Sequence, residues 1–295
     1  MELKKYLKKK QQLVNKYLKQ YLNGSEYSST LGKSIKYSLL APGKRIRPIL
    51  TIATAEMLGK SASLVIPAAC AIEMIHVYSL IHDDLPAMDD DDLRRGKPTN
   101  HKIFGEAIAI LAGDTLQAEA FNIIVQHSNI NKIGTPRILA VIKELSNACG
   151  LKGMAAGQAL DLQAENKKIK LKPLRLIHEL KTGKLLQAAI RVGAIIAGAR
   201  PKELTALTQY AESLGVAFQI QDDLLDVFGD TKTLGKKAGA DLKKNKATYP
   251  KLLGIKKTQE LLTKEINYAR NALKIFGKKG IVLEKILEYV RERKK

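Results

Sequence analysis

The stretch Ala68-Ala-Cys-Ala-Ile-Glu-Met-Ile-His-Val-Tyr-Ser-Leu-Ile-His-Asp-Asp84 is apolar at nearly every position until its last residues. The apolar side chains fall on all sides of the helix that this spacing predicts, and such a helix is buried in the core of a large bundle. We expect Pro67 to start the helix and Leu85-Pro86 to end it. The chain is therefore predicted to be organised around a buried helix that ends in two carboxylates.

The buried helix leads directly into an acidic run. Six aspartates fall within residues 83–92, and Arg94 and Arg95 follow them, in a chain whose formal net charge is +21. Crowded carboxylates raise one another's pKa unless a cation lies among them. A hard divalent metal with oxygen ligands supplies that cation, and two adjacent arginines suit phosphate. The run is therefore predicted to be a site for Mg²⁺ and a diphosphate.

A second acidic cluster ends another predicted helix, which starts at Pro201 and reaches Asp226. Asp222 and Asp226 lie four residues apart on one face, where like charges destabilise a helix unless something bridges them. Taken singly, each acidic cluster is more often a solvated surface. If the two helix ends are neighbours in a bundle, however, their carboxylates face each other across the mouth of a cavity.

Cations elsewhere in the chain extend this pattern. Gly183 lies inside a long predicted helix, where a kink would free a backbone carbonyl beside Lys181 and Thr182. One face of the core helix carries His76, Ser79 and Asp83. Further cations lie in a predicted turn and in a Gly- and Lys-rich loop: Lys44, Arg45, Arg47, Lys236 and Lys246. Together with the acidic clusters they indicate a metal–phosphate site.

The composition narrows the functions that the chain can have. A basic excess suggests nucleic acid, a membrane surface or an anionic substrate as a partner. No aromatic stacking platform or nucleic-acid-reading motif is recognisable, so we expect no nucleic acid. Cys70 and Cys149 lie far apart in apolar stretches and are expected to be buried thiols in a reducing compartment.

The N-terminus lacks the apolar segment of a secretory signal, and no apolar run approaches the roughly 20 residues of a membrane span. We therefore expect a soluble, cytoplasmic protein without stable membrane insertion. The basic, amphipathic first helix leaves open whether it touches a membrane surface.

No linker divides the chain and no strand-like alternation is sustained, which predicts one all-α domain over residues 1–295. Further helices are expected from Pro48 to Leu58, from Lys102 to His127 with an interruption near Gly113, and from Pro136 to Cys149.

Together these motifs resemble those of the trans (E) short-chain prenyl diphosphate synthases, and most of all those of bacterial farnesyl diphosphate synthases. Asp83-Asp-x-x-x-x-Asp89 is similar to the family's first aspartate-rich motif in its longer form, and Asp222-Asp-x-x-Asp226 to the second. Gly43-Lys-Arg-x-Arg-Pro48 and Phe218-Gln219 match as well. The matched segments run from residue 43 to Pro250, and their combination is highly specific.

The resemblance implies a fold, partners and a set of site residues. The fold would be a single-domain helical bundle around a deep central cavity, acting as a homodimer. About three Mg²⁺ would bridge the two motifs and an allylic diphosphate. Their ligands would be Asp83, Asp89 and Asp222, with Asp84, Asp223 and Asp226 as second-tier ligands or water holders.

The resemblance also assigns the substrate contacts. Isopentenyl diphosphate would be bound by Lys44, Arg47, His76 and Arg95. The allylic diphosphate, or the carbocation behind it, would be contacted by Arg94, Lys181, Thr182, Gln219, Lys236 and Lys246. Of these, Arg94, Lys181 and Thr182 would take part in catalysis, which is electrostatic and uses no side-chain nucleophile.

The product implied by the resemblance is (2E,6E)-farnesyl diphosphate. In related enzymes, a bulky side chain five residues before the first aspartate motif forms the floor of the cavity, and Tyr78 occupies that position. Helical geometry alone aims Ser79 at the cavity better than Tyr78. A longer product, geranylgeranyl diphosphate, is therefore the main alternative.

Two other classes of function are disfavoured. A terpene cyclase would normally lack the cations for a second substrate and would not have the intact second aspartate motif. A basic helical protein that binds RNA or a membrane surface would have no use for paired acidic clusters. Salt-sensitive nucleic-acid binding without Mg²⁺-dependent pyrophosphate release would favour this last class.

Overall fold

The computed structural model of the chain describes residues 2–228 and 247–293, so that Lys236 and Lys246 lie outside the described residues. The chain divides into two compact units, residues 1–142 and 143–295. That residues 1–295 form one domain stays a prediction. The all-α prediction is confirmed, because within the described ranges the regular structure is helical except for one hairpin of two-residue strands.

The first unit is built from seven α-helices and the hairpin, with the next helix running across the boundary between the units. In chain order these elements are α1 (Leu3–Tyr21), α2 (Thr30–Leu39), α3 (Ile46–Met57), α4 (Ala62–Asp83), β1 (Leu93–Arg94), β2 (Lys97–Pro98), α5 (Asn100–Phe104), α6 (Glu106–His127), α7 (Ile130–Ile133) and α8 (Thr135–Cys149). A short 3₁₀ turn, Ser25–Ser28, precedes α2.

The second unit continues with α9 (Met154–Ala164), α10 (Leu171–His178), a π-helical turn (Glu179–Gly183), α11 (Lys184–Ala197), α12 (Pro201–Phe228), α13 (Tyr249–Leu253), α14 (Ile255–Leu273), a 3₁₀ segment (Lys274–Gly280) and α15 (Ile281–Glu292). Helix α12 is its central element and packs against α11, α14 and α15. The hydroxyl of Tyr210, in the middle of α12, donates to the carbonyl of Leu283 on α15 at 2.8 Å.

Helix α4 is the core of the first unit, as predicted, and packs against α3 and α6. Its residues from Val65 to Ile75 are all buried. The predicted start at Pro67 is wrong, because the helix begins at Ala62 and Pro67 lies inside it. A proline this close to the N-terminus removes a single backbone hydrogen bond, and burial of Val65 and Ile66 offsets that loss.

The interruption predicted near Gly113 lies instead at Gly105, which separates α5 from α6 with φ +81°. Gly113 is inside α6, and the absence of a side chain there makes room for a side chain of α4. A Cβ at this position would lie 2.1 Å from Nε2 of His82 on α4. That imidazole nitrogen is 3.0 Å from the carbonyl oxygen of Ile110, so α6 holds the C-terminal end of α4 through His82.

Two helices, α4 and α6, are each 22 residues long and apolar enough to cross a bilayer by length and composition. The prediction that no segment approaches this length is wrong, because isolated polar residues such as Glu73 interrupt the apolar run without lowering its average enough. Helix α4 is mostly buried within its unit, as a core helix is. Helix α6 is less buried and leaves Ile110, Leu111 and Val125 exposed.

Both cysteines are buried and carry free thiols, as predicted. Burial raises the pKa of Cys70, which keeps this thiol protonated and unreactive at neutral pH.

Candidate active site

The first acidic cluster forms where α4 ends. Asp83 is the last residue of the helix and Asp84 caps it. The chain then turns back, so that the amide of Asp89 donates to the carbonyl of Asp83 at 2.8 Å. Both Asp83 and Asp89 are half-buried. The turn therefore brings two of the predicted metal ligands to the same helix end within the first unit.

Asp84 is buried, at 3% exposure, and faces Arg94. The Nε of Arg94 donates to Asp84 at 2.8 Å, its Nη2 bonds the same carboxylate oxygen, and Nη2 also reaches Asp91 at 3.2 Å. Burial alone would lower the pKa of Arg94, but the hydrogen bond and the charge of Asp84, with the charges of Asp91 and Asp83, outweigh it and raise the pKa. The arginine stays protonated and holds Asp84 in the scaffold.

The two arginines are aimed in different directions by the hairpin of β1 and β2. The turn residues Arg95 and Gly96 have φ of +55° and +75°, the conformation of a tight two-residue hairpin turn. Arg94 points to Asp84, whereas Nη1 of Arg95 donates to the carbonyl of Pro42 at 2.9 Å. Sequence analysis missed this hairpin because its strands are too short to show alternation. The Arg-Gly pair followed by Lys-Pro was the available signal.

A pocket in the first unit opens beside this arrangement, between α2, the end of α4 and the hairpin. Its lining combines apolar and charged groups: Tyr37, Val77, Leu80, Ile81, Asp84 and Arg94.

Four arginines act electrostatically on His76 of α4. The pKa of His76 lies well below its usual range, first because its ring is withdrawn from water and then because of the charges of Arg47, Arg95, Arg45 and Arg94. Arg47 and Arg95, both predicted to bind isopentenyl diphosphate together with His76, are thus close enough to His76 to act on it electrostatically. The fourth, Lys44, is exposed in the adjacent turn. Arg45 and Arg94 are already paired with Glu73 and Asp84, and the positive charge at this site favours the binding of an anion.

The predicted chain-length residues lie one turn above the acidic cluster. Tyr78 is buried, and its ring packs edge-on against His82 with centroids 5.8 Å apart. Ser79 is half-buried, and its hydroxyl donates to the carbonyl of His76 at 2.9 Å. Tyr78 is therefore a bulky side chain on the same helix as Asp83.

The second acidic cluster lies near the end of α12 in the second unit. Asp223 is buried and accepts hydrogen bonds from the amide of Tyr249 at 2.9 Å and from Nε2 of Gln219 at 3.2 Å. Asp222 is half-buried and forms an ion pair of 2.6 Å with Arg293. Asp226 is also half-buried. As in the first cluster, the second aspartate of the adjacent pair is the buried one.

The kink predicted at Gly183 is confirmed as the π-helical turn Glu179–Gly183. Lys181 pairs with Asp161 on α9 at 2.6 Å, and the hydroxyl of Thr182 donates to Oε1 of Gln219 at 3.2 Å. Gln219 in turn donates to Asp223, so one chain of contacts links the π turn to the second cluster. Lys181, Thr182, Gln219 and the aspartates of α12 are therefore brought together within this unit.

Two glycines on neighbouring helices clamp the π turn. A Cβ on Gly157 of α9 would lie 2.2 Å from the amide nitrogen of Lys181. A Cβ on Gly215 of α12 would lie 3.0 Å from the Cα of Gly183. Only glycine allows both backbones to approach this closely, so the turn is held on two sides.

Sequence analysis missed Asp161 and Arg293. Asp161 carries no pattern of its own beyond an isolated charge in an apolar helix. Arg293 lies in a short run of charged residues with no motif, but its guanidinium stacks on Phe218 with 3.9 Å to the ring centroid and donates to the carbonyl of Phe218 at 2.7 Å. The described part of the C-terminus is therefore anchored at the second cluster.

Within residues 2–228 and 247–293, no group of three His, Cys, Asp or Glu side chains converges as a metal site. Mg²⁺ is usually held by only one or two carboxylates together with waters and substrate phosphates. The half-buried pair Asp83 and Asp89 provides hard oxygen donors of this type. The residues present therefore fit an Mg²⁺ that is completed by a phosphate ligand.

Comparison with known proteins agrees with this arrangement. A family model described as polyprenyl synthetase matches residues 28–281. The chain is 46% identical over 293 residues to a farnesyl diphosphate synthase of Geobacillus stearothermophilus, covering 99% of this chain and 98% of that protein. It is 44% identical over 294 residues to a chloroplastic geranylgeranyl pyrophosphate synthase of Catharanthus roseus, covering 99% of this chain and 82% of that protein. The crystal structure of an FPP/GFPP synthase from Zymomonas mobilis superposes with a TM-score of 0.86 at 36% identity, covering 98% of each chain.

Proposed function

We propose that this chain, which belongs to the polyprenyl synthetase family, is a prenyltransferase that condenses isopentenyl diphosphate with dimethylallyl or geranyl diphosphate to give (2E,6E)-farnesyl diphosphate and pyrophosphate. Its fold is the all-α isoprenoid synthase fold, as predicted. The observation that carries the proposal is the gathering of Arg47, His76 and Arg95 beside the carboxylates of α4. An anion site next to a metal-type carboxylate pair supports a reaction between two diphosphates.

The cation cluster is assigned to isopentenyl diphosphate. Lys44, Arg47 and Arg95 would bind its diphosphate by charge-assisted hydrogen bonds. His76 is neutral at pH 7 because of its lowered pKa, so it can donate one hydrogen bond without adding to the repulsion among the arginines. These contacts hold the homoallylic alkene in place for attack.

The allylic diphosphate is assigned to Arg94 and the carboxylate clusters. Asp83, Asp89 and Asp222 would hold Mg²⁺, which when bound stabilises the charge on the departing diphosphate. Arg94 already stays protonated beside Asp84 and would add to that stabilisation. Lys181, Gln219, Lys236 and Lys246 are proposed to contact the same diphosphate. Lys236 and Lys246 lie outside the described residues.

The reaction needs no nucleophile from the protein. The allylic C–O bond breaks and its electron pair leaves with the diphosphate. The π electrons of isopentenyl diphosphate then form the new C–C bond, and a proton is lost from the adjacent carbon to the departing diphosphate. Thr182, with backbone carbonyl oxygen near the π turn, would stabilise the allylic cation before it is captured. Burial among aliphatic side chains excludes water from that cation.

The test is direct. Purified protein is incubated with labelled isopentenyl diphosphate and each allylic starter in turn, with Mg²⁺ and with a chelator, and the products are sized. A C15 diphosphate formed only with Mg²⁺ is the expected result. Pyrophosphate release from an allylic starter in the absence of isopentenyl diphosphate, with a cyclic hydrocarbon as product, would contradict the proposal.

Geranylgeranyl diphosphate synthesis is the second candidate, because plant geranylgeranyl pyrophosphate synthases are 44–45% identical to the chain. Tyr78 distinguishes the two products. If its buried ring closes the cavity, Tyr78→Ala should shift the main product from C15 to C20 or longer, with Ser79→Ala as the matched neighbour. A C20 product from the wild type, or an unchanged profile in Tyr78→Ala, would count against this role.

The wider assignments are also proposals. We propose that residues 1–295 work as one cytoplasmic catalytic domain around a central cavity, without stable membrane insertion, and that the active form is a homodimer. The exposed apolar side chains of α6, Ile110, Leu111 and Val125, support self-association, because a second copy would remove them from water. Replacement of Leu111 by Lys should give a monomer in sedimentation analysis.

A further inference from the structure

Of the three cations in residues 44–47, where a turn enters α3, Arg45 is the one whose side chain is buried, at 3% exposure. Its backbone has φ of +54°, a left-handed conformation that is costly for a residue with a side chain. Its Nη1 forms an ion pair of 2.7 Å with Glu73, which lies at 2% exposure on the core helix α4. Because its guanidinium is buried and already paired with Glu73, we look for its role in the contacts it makes inside the unit.

Besides α4, the guanidinium of Arg45 binds two other helices of the first unit, α1 and α2, and the residue Ala41 that follows α2. Its Nε donates to Oδ1 of Asn15 on α1 at 2.9 Å. Its Nη2 donates to the carbonyl of Leu39, the last residue of α2, at 2.9 Å and to that of Ala41 at 2.8 Å. The planar fork therefore joins α1, α2 and α4 at the point where the turn enters α3.

The same turn carries the groups assigned to isopentenyl diphosphate. Lys44 and Arg47 flank Arg45 on either side, and Nη1 of Arg95 donates to the carbonyl of Pro42. Nε2 of Gln11 donates to the carbonyl of Gly43 at 2.6 Å. A Cβ at Gly43 would lie 2.4 Å from Nη1 of Arg95 and 3.4 Å from Nη1 of Arg45. Displacement of this turn would therefore move Lys44 and the start of α3, which carries Arg47, and would break the contact with Arg95.

We propose that Arg45, through its buried pair with Glu73, is a positioning residue that fixes the turn 41–45 so that Lys44 and Arg47 bind the diphosphate of isopentenyl diphosphate. This inference rests on the proposed function. The pair resists separation, because removal of either partner leaves an uncompensated buried charge.

The experiment compares two carboxylate-to-amide variants in the same unit. Glu73→Gln weakens the hold on Arg45. Glu56→Gln is the matched control, because Glu56, at the far end of α3, is a part-buried carboxylate that pairs with Lys10 and accepts a hydrogen bond from Tyr6, both on α1. Both variants should unfold at lower temperature. The KM for isopentenyl diphosphate should rise about tenfold or more in Glu73→Gln alone, while kcat and the KM for the allylic substrate stay within about twofold of wild type in both.

Two further variants keep the inference testable if Glu73→Gln folds poorly. Arg45→Lys retains the charge for Glu73 but cannot reach Asn15, Leu39 and Ala41 at once, so it should raise the same KM. Gln11→Ala releases Gly43 without touching a buried charge and should raise it less. In the double variant Arg45→Lys/Lys44→Gln, the increase should be smaller than the product of the two single increases, because both changes weaken the same contact.

The inference is overturned if Glu73→Gln and Arg45→Lys raise the KM for isopentenyl diphosphate no more than Glu56→Gln does, or if the double variant is fully multiplicative. A wild type that does not turn over isopentenyl diphosphate would refute the proposed function instead. Affinity for inorganic pyrophosphate, measured by calorimetry without Mg²⁺, would then decide the role of Arg45. Equal affinities in wild type and Arg45→Lys would overturn it.

Discussion

In both acidic clusters, the two adjacent aspartates differ in burial and in the contacts they make. In each, the second aspartate is buried at 3% exposure and is part of the scaffold, Asp84 through Arg94 and Asp223 through the amide of Tyr249. The first aspartate, Asp83 or Asp222, is half-buried. In an Asp-Asp motif of this kind, therefore, the first carboxylate can bind a ligand and the second holds the helix end in place.

The clusters differ in where their supporting residues come from. Asp84 is held by an arginine only ten residues away, delivered by the hairpin that follows the helix. Asp222 and Asp223 are held by Arg293 and Tyr249, which return from much later in the chain. The first cluster is consequently a local structure, whereas the second depends on the completed second unit.

The largest expected effect concerns the half-buried aspartates. Asp83→Ala and Asp222→Ala should each lower kcat/KM by about 100- to 1000-fold, because each removes a carboxylate proposed to hold Mg²⁺ at the leaving group. Mg²⁺-dependent pyrophosphate release measures the effect, and urea unfolding should show a smaller loss of stability than in variants of the buried aspartates Asp84 and Asp223. Asp92→Asn, an exposed position in the same acidic run, is the control and should stay near wild type. Near-normal turnover in either alanine variant would remove the metal role.

The buried aspartates should behave in the opposite way. Asp84→Asn and Asp223→Asn should each lower the free energy of unfolding by about 2 kcal/mol, because hydrogen-bond partners inside the protein lose a charged acceptor. The loss of activity should follow the loss of folded protein. If the variants were as stable as wild type but inactive, the second aspartate of each pair would not have the structural role proposed here.

The next effect is the pH dependence of stability in the second unit, where His178 lies next to Tyr249. His178 packs against Tyr249 with ring centroids 5.3 Å apart, and burial lowers its pKa to about 4. Unfolded histidine takes up a proton near pH 6.5, so stability is complete above that pH and is lost as the pH falls towards the folded pKa. Between pH 7.5 and 5.5, wild type should lose about 1 kcal/mol more than His178→Gln in urea titrations. Parallel pH profiles would contradict this.

The smallest expected effect is at Arg293, whose guanidinium competes with a metal for Asp222. Arg293→Gln should tighten Mg²⁺ or Mn²⁺ binding about threefold, an amount typical of a partly exposed ion pair. Calorimetry or Mn²⁺ resonance without substrate provides the measurement. Arg291→Gln removes a neighbouring charge that pairs with Glu288 and serves as the control. Weaker metal binding in Arg293→Gln would show that the arginine supports the site.

Sequence analysis succeeded where a feature depends on neighbours along the chain. Helix α4, the acidic helix ends and the kink at Gly183 all follow from local periodicity and from residues with strong preferences. Arg94 and Arg95 were found as a pair, but not their opposite directions, because these depend on two left-handed turn residues in a hairpin too short to recognise.

Features that depend on tertiary contacts could not be predicted. Gly113 was taken as a helix break, whereas its role is to make room for His82 from another helix. Arg45 was grouped with Lys44 and Arg47 as one cationic turn, and only the position of Glu73 separates it from them. The role of Arg293 could not be predicted, because the ring and the carboxylate that hold it lie about 70 residues earlier in the chain.

The π-helical turn at Glu179–Gly183 has a consequence for insertions and deletions. A π turn contains one residue more than an α turn, so the helix that leaves it is out of phase with the one that enters by about 100°. Loss of a single residue here would give a straighter and intrinsically better helix. It would also rotate every later side chain of α11, including Arg191, away from its partner Glu144. At this point the number of residues is as strictly required as their identity.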